Sequence, residues 1–163
     1  MQEKEALIQI YNENQEPIAV KPRKDINKNT DILEDANILI INNKNQIFMI
    51  KAKQSSWPGK WGGSCAGLVR YQETPNEAAK RTLKRELNIK VPLTHLHKKY
   101  YDFNGKKKIM NFFYGKASEL KPNPDDFEET KWISIQEAEK MIKNNECMPT
   151  FEAAFKALKE YLN

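Results

Sequence analysis

Cysteine and histidine are scarce in this chain, with two of each in 163 residues. Cys65 and Cys147 do not make a disulfide framework or a zinc site, so a reducing, cytoplasmic compartment is expected. No run of eighteen apolar residues occurs, which argues against a transmembrane helix and a membrane partner. The start, Met1-Gln2-Glu3-Lys4-Glu5, is charged and is followed by no apolar h-region, so no signal peptide is expected. Arginine is scarce too: Arg23, Arg70, Arg81 and Arg85 are the only four, and lysine supplies the rest of a +5 formal charge. Lysine is the common solvated surface cation, whereas bidentate phosphate and base recognition favours arginine. The lysine runs 98–99 and 106–108 therefore read as solvated turns, and nucleic acid is not the expected partner. Internal repeats and Ser/Pro-rich linkers are absent, which leaves one domain with a small appendage.

What is present suffices for one core: 39% hydrophobic and 30% charged residues. Residues 1–34 read as an N-terminal hairpin plus a polar loop over 21–35, appended to a domain spanning 35–163. In the hairpin, Ile8 and Ile10 face 18–20 across a turn at 12–17. A second hairpin pairs 37–41 with 47–50, and its first strand is apolar throughout, as expected for a strand covered on both faces. A loop with three glycines and Pro58 carries Trp57 and Trp61, and a short strand follows over 64–69. Thr74, Pro75 and Glu77 form a capping box with proline at the first helical position. The helix runs to about Leu87, with Asn88 able to take a left-handed cap. Strands over 94–102 and 108–116 flank the Asn104-Gly105 turn, and 118–128 is a polar loop. A strand over 130–133 leads into a helix capped by Ser134 and Glu137. A last helix begins after Pro149-Thr150 and presents Phe151, Ala154, Phe155, Leu158 and Leu162 on one face. More hairpins than crossovers point to an α+β class, a sheet layered between helices.

The stretch from Gly67 to Ile89 carries the chemistry. On a helical wheel, Ala79, Leu83 and Leu87 form the apolar stripe, and Glu86 falls between Ala79 and Thr82. Its carboxylate is thereby aimed at the protein body, where it needs a cation, a metal or several donors. Gly67, Glu73, Arg81, Leu83, Glu86 and Ile89 stand at the spacing G-x5-E-x7-R-E-U-x-E-E-x-G-U, and the stretch resembles the Nudix box. The Trp-Pro-Gly-x-Trp loop before it and Lys131-Trp132-Ile133-Ser134 after it are similar to the family as well. The resemblance covers roughly 35–162 and looks closest to the branch near isopentenyl-diphosphate isomerase. A shifted frame, Glu77-x7-Arg85-Glu86-Leu87, puts Tyr71 at the glycine and runs past the helix end, so it is rejected.

The resemblance implies a Nudix-type α/β/α sandwich with a mixed β-sheet. It also implies hydrolysis of a nucleoside diphosphate linked to another group, with Mg²⁺ or Mn²⁺ gathered by the box carboxylates. In that pattern Glu86, with the backbone carbonyls of Ala66 and Gly67, is the metal-site candidate, and Arg81 and Glu73 support catalysis through an orienting salt bridge. Arg85 is a candidate diphosphate binder, since guanidinium grips phosphate bidentately. Trp57 and Trp61 are candidates to stack on a base or prenyl tail. Relatives often dimerise, so a homodimer is an expectation.

The chain departs from the pattern where metals should bind. Thr82 stands for a glutamate, Arg85 for the first of the paired glutamates, and Asn88 for the late glycine. The face shared by 82, 85 and 86 holds one carboxylate, one hydroxyl and one guanidinium, so Mg²⁺ would be weakly held or absent. Three functions follow: a hydrolase with a metal-poor box, a nucleotide- or partner-binding module without hydrolysis, and an isomerase relative. The isomerase branch uses a cysteine just before the box glycine, where Cys65 stands. It also needs upstream histidines, and none precedes residue 95. Cys65 also reads as a small core residue, and Glu128 and Glu129 as a solvated turn.

Overall fold

The computed structural model describes residues 3–163; Met1 and Gln2, the first residues of the expected appendage, lie outside it. A short 3-10 turn, Glu3–Glu5, precedes an antiparallel hairpin of β1, Leu7–Tyr11, and β2, Pro17–Pro22. The turn is closed by Asn12, whose Oδ1 accepts from the Asn14 and Glu16 amides at 2.9 and 3.0 Å. Asn42 closes the next hairpin in the same way. Such side-chain bonds mimic backbone turns, which is why asparagine is favoured there.

The main sheet comprises β3 (Leu33–Ile41), β4 (Gln46–Ala52), β5 (Cys65–Leu68), β6 (Thr94–Phe103), β7 (Lys106–Lys116) and β8 (Phe127–Ser134). Its order is β6-β7-β3-β4-β8, with β5 also on β3. β3 runs parallel to β7 and antiparallel to β4 and β5, so the sheet is mixed. Alternation along β3 sends Ile38 and Ile40 to one face and Leu39 and Ile41 to the other. The first face packs on α1, Pro75–Leu87, through Ala79, Leu83 and Leu87. The second packs on α2, Ile135–Lys143, and α3, Pro149–Leu162. These layers make the expected α/β/α sandwich. No helix among the described residues is long and apolar enough to cross a membrane.

Local signals place the helices. Thr74 and Glu77 bond reciprocally at 3.1 Å, and Asn88 ends α1 at φ 56°. Ser134 and Glu137 repeat the box at α2. Three details differ from expectation. The segment 21–35 is not all loop, because β3 starts at Leu33. β8 starts at Phe127, because β4 carries its pairing out to Ala52 opposite Phe127; Glu128 and Glu129 thus sit on a strand, although exposed. Leu162 is 53% exposed rather than docked, although it still lies within α3.

Candidate functional site

β3 and β4 pair next to their turn, Ile41 with Ile47, while β5 occupies the flank of β3 from Asp35 to Ile38. The sheet therefore splits, and a cleft of about 630 Å³ opens at the split. Cys65, Ala66, Arg85 and Glu86 form one wall; Trp57, Met148 and Phe151 form another.

Glu86 lies in the last turn of α1 and is 8% exposed, as the wheel requires. Its Oε2 accepts from Arg85 Nη2 at 2.7 Å. Burial raises the Glu86 pKa; the Arg85 charge offsets part of this, and Asp126 adds to it. For Arg85, burial works downward, but Glu86, Glu3 and Asp126 together raise its pKa. The cation that Glu86 needs is thus supplied by its sequence neighbour, Arg85. Helical neighbours one residue apart do not normally face each other; here the long arginine bends back over the carboxylate.

Arg81 and Glu73 stand outside the cleft walls. Arg81 Nε and Nη2 reach the two Glu73 oxygens at 2.9 and 3.0 Å, and Nη2 also donates to the Leu68 carbonyl at 2.7 Å. Burial would raise the Glu73 pKa, but Arg81 and the Arg70 amide hold it below the usual range. This fork fastens the end of β5 to α1. Gly67 also faces the helix rather than the cleft: a Cβ there would overlap the Thr82 hydroxyl. Ala66, by contrast, lines the cleft.

The structure separates the two tryptophans. Trp57 lines the cleft. It sits edge-on to Phe103 at 6.0 Å and beneath the Lys106 ammonium at 5.0 Å. Lys106 also donates to the Ser56 carbonyl at 3.2 Å. Trp61 is 7% exposed in the α3-side core, with Lys131 over its ring at 4.2 Å. Its side chain does not line the cleft, and its backbone bridges Cys147 just before α3. Cys65 is buried, and burial with the Glu86 charge pushes its thiol well up, so it stays protonated.

Sequence reasoning missed Asp126. Its loop is stitched to the end of α1 by Asn123 N to Glu86 O at 2.8 Å and Lys121 N to Leu87 O at 3.1 Å. These bonds satisfy terminal helix carbonyls. They bring Asp126 into the cleft with one buried oxygen, Oδ2, lacking a hydrogen-bond partner. Arg23 reaches the cleft from the short 3-10 turn Arg23–Asp25 that follows β2, and Lys108 reaches it from β7; no local sequence signal marks any of the three.

Comparison with known proteins agrees with this geometry. The isopentenyl-diphosphate Delta-isomerase of Dinoroseobacter shibae is 27% identical over 96 residues, which is 53% of this chain and 54% of the isomerase. The crystal structure of DR0079 from Deinococcus radiodurans superposes with TM-score 0.75 at 18% identity, covering 94% of this chain and 98% of that one. The NUDIX domain of Shewanella oneidensis NrtR, solved with ADP ribose, superposes with TM-score 0.66 at 12% identity, covering 88% and 94%. The NUDIX domain family model matches residues 33–155, and the chain belongs to the Nudix family.

Proposed function

We propose that this chain is a Nudix-fold receptor for a diphosphate-linked, nucleotide-type ligand, with metal-assisted hydrolysis weak or lost. One observation carries the reading: the Arg85 guanidinium stands 2.7 Å from Glu86, on the helix face where the family pattern would place further carboxylates. Members of the family generally use divalent metals. The donors here do not fit a multi-ion cluster. Thr82 is fully buried against Gly67, and Glu86 is already ion-paired. Among the described residues no group of three or more His, Cys, Asp or Glu converges. Arg85 and Arg23 supply instead the planar donors that suit phosphate oxygens. Trp57 is half-buried and lines the cleft, where its indole can meet a base or other planar group. The related NUDIX domain that holds ADP ribose supports the ligand class.

A second reading, a hydrolase working with one Mg²⁺ or Mn²⁺, is favoured by the unpartnered Asp126 oxygen beside Glu86. In that reading Glu86 and Asp126 would hold the ion.

The two readings separate in one experiment. Nucleotide sugars, dinucleotides, nucleoside triphosphates and prenyl diphosphates are tested for phosphate release with Mg²⁺ or Mn²⁺, and for thermal stabilisation of the chain in EDTA. Stabilisation without metal and without turnover supports the receptor. Metal-dependent turnover that Glu86→Gln abolishes overturns it in favour of the hydrolase.

A further inference from the structure

Three of the four arginines converge on one carboxylate. Glu3 Oε1 lies 2.7 Å from Arg23 Nη1; Oε2 lies 2.6 Å from Arg70 Nη2 and 3.4 Å from Arg85 Nη1. The three cations come from distant parts of the chain: the turn after β2, the loop after β5 and the last turn of α1. The backbone brings them together. Arg23 N donates to the Ala6 carbonyl at 2.8 Å, Ile8 bridges Arg70, and Tyr71 N donates to the Leu7 carbonyl at 2.7 Å.

One carboxylate undersupplies this cluster. It brings one negative charge against three guanidiniums, each with more N–H donors than a single carboxylate oxygen accepts. Arg85 shares a second carboxylate, Glu86, and Arg70 Nε stays buried with no partner. A phosphate group has more oxygens, more charge and a tetrahedral spread, and would satisfy more of these donors. The cluster also adjoins the proposed ligand site, since Arg23 and Arg85 line the cleft while Arg70 stands behind it. The Glu3–Glu5 turn buries none of its own residues, so its departure unburies no side chain of the turn itself.

We infer that Arg23, Arg70 and Arg85 form a receptor for a phosphate-class anion, and that Glu3 fills it as an internal competitor. The inference rests on the cleft being a ligand site, and it deepens that reading by adding a regulated phosphate subsite. Burial would raise the Glu3 pKa, but the Arg70 hydrogen bond and the Arg23 and Arg85 charges hold it below the usual range. Glu3 therefore stays charged at neutral pH, and an incoming anion must displace it rather than wait for its protonation.

The test titrates inorganic pyrophosphate, in EDTA and at fixed salt, into the full chain and its E3Q, E3A, R70Q and E3Q/R70Q variants by calorimetry. Circular dichroism and thermal melting establish that each is folded. E3Q and E3A are expected to bind pyrophosphate about tenfold tighter than the parent, and R70Q is expected to erase that gain. Folded E3Q and E3A that bind no tighter, or a gain that survives R70Q, would overturn the inference. The two readings fail separately. If nucleoside diphosphates bind the parent and E3Q equally, the receptor is defeated and the cleft reading stands. If pyrophosphate binding depends on Arg70 while no nucleoside diphosphate binds, the receptor stands and the cleft reading is defeated.

Discussion

The Thr82 hydroxyl rests directly on the α-carbon of Gly67. A Cβ built on Gly67 would overlap Thr82 Oγ1 and come within 3.2 Å of Thr82 Cβ. Helix α1 thus approaches β5 as closely as it does because residue 67 has no side chain.

Gly67→Ala is expected to destabilise the fold by about 2–3 kcal/mol, the usual scale of overpacking. The Thr82→Ala change should recover most of that loss in a double-mutant cycle followed by urea unfolding. Thr82→Val should lie within about 1 kcal/mol of the parent, because the buried hydroxyl it replaces has no partner to lose. Independent, additive effects of the 67 and 82 changes would contradict this contact.

Arg85→Glu replaces the cation over Glu86 with a carboxylate. Divalent binding should then strengthen by about tenfold or more, as charge is added to oxygen donors near Asp126. Mn²⁺ titration followed by electron paramagnetic resonance reads this directly. Equal Mn²⁺ affinity in the parent and variant would mean that Arg85 is not what keeps the face metal-poor.

Glu86 and Glu73 should titrate stability in opposite directions. The folded Glu86 pKa is raised, so its contribution to stability is present at low pH and lost as pH rises through the raised value. Glu86→Gln should therefore be at least as stable as the parent at pH 7, with the difference vanishing under acid conditions. The folded Glu73 pKa is lowered, so its contribution is present above the ordinary carboxylate pKa and lost as pH falls through the lowered value. Glu73→Gln should be destabilised by about 1–3 kcal/mol at pH 7, and that deficit should shrink in acid. Urea unfolding of both variants between pH 3 and pH 8, as a rough working range, checks both signs.

The two tryptophans should part company on mutation. Trp61→Ala should cost about 3–5 kcal/mol, as for other buried aromatics. Trp57→Ala should leave the melting temperature nearly unchanged while weakening any ligand that stacks at the cleft. Melting curves and ligand titrations on the same samples distinguish the roles. A large stability loss from Trp57→Ala would place it in the core with Trp61.

Elements with local signals were legible in the sequence, because capping boxes, Pro75 at the helix start and the Asn104-Gly105 turn act within a few residues. The bounds of α1 follow from Thr74 and Asn88 alone. The 127–129 end of β8 was not legible, since only its pairing with β4 makes that stretch extended. In the site, the wheel placed Glu86 facing inward and the Glu73–Arg81 pair followed from the box spacing. The Arg85–Glu86 contact depends on a side-chain bend that spacing does not encode. Asp126, Glu3 and Arg23 reach their places through tertiary folding, at separations no local pattern spans. Trp57 and Trp61 look alike in sequence, and only tertiary pairing, such as the Trp61 bridge to Cys147, separates the buried one from the other.

Lys106 has a consequence beyond its own charge. It covers Trp57 and holds the Ser56 carbonyl across 50 residues of sequence. What puts it there is the Asn104-Gly105 turn, with both residues at positive φ. Neither turn residue lines the cleft. Exchanging Gly105 for a β-branched residue would therefore spare every cleft atom, yet swing the lysine from its seat and unlatch the mouth. Drift at the tip of this hairpin thus offers a remote adjustment of the cleft mouth that leaves the lining sequence intact.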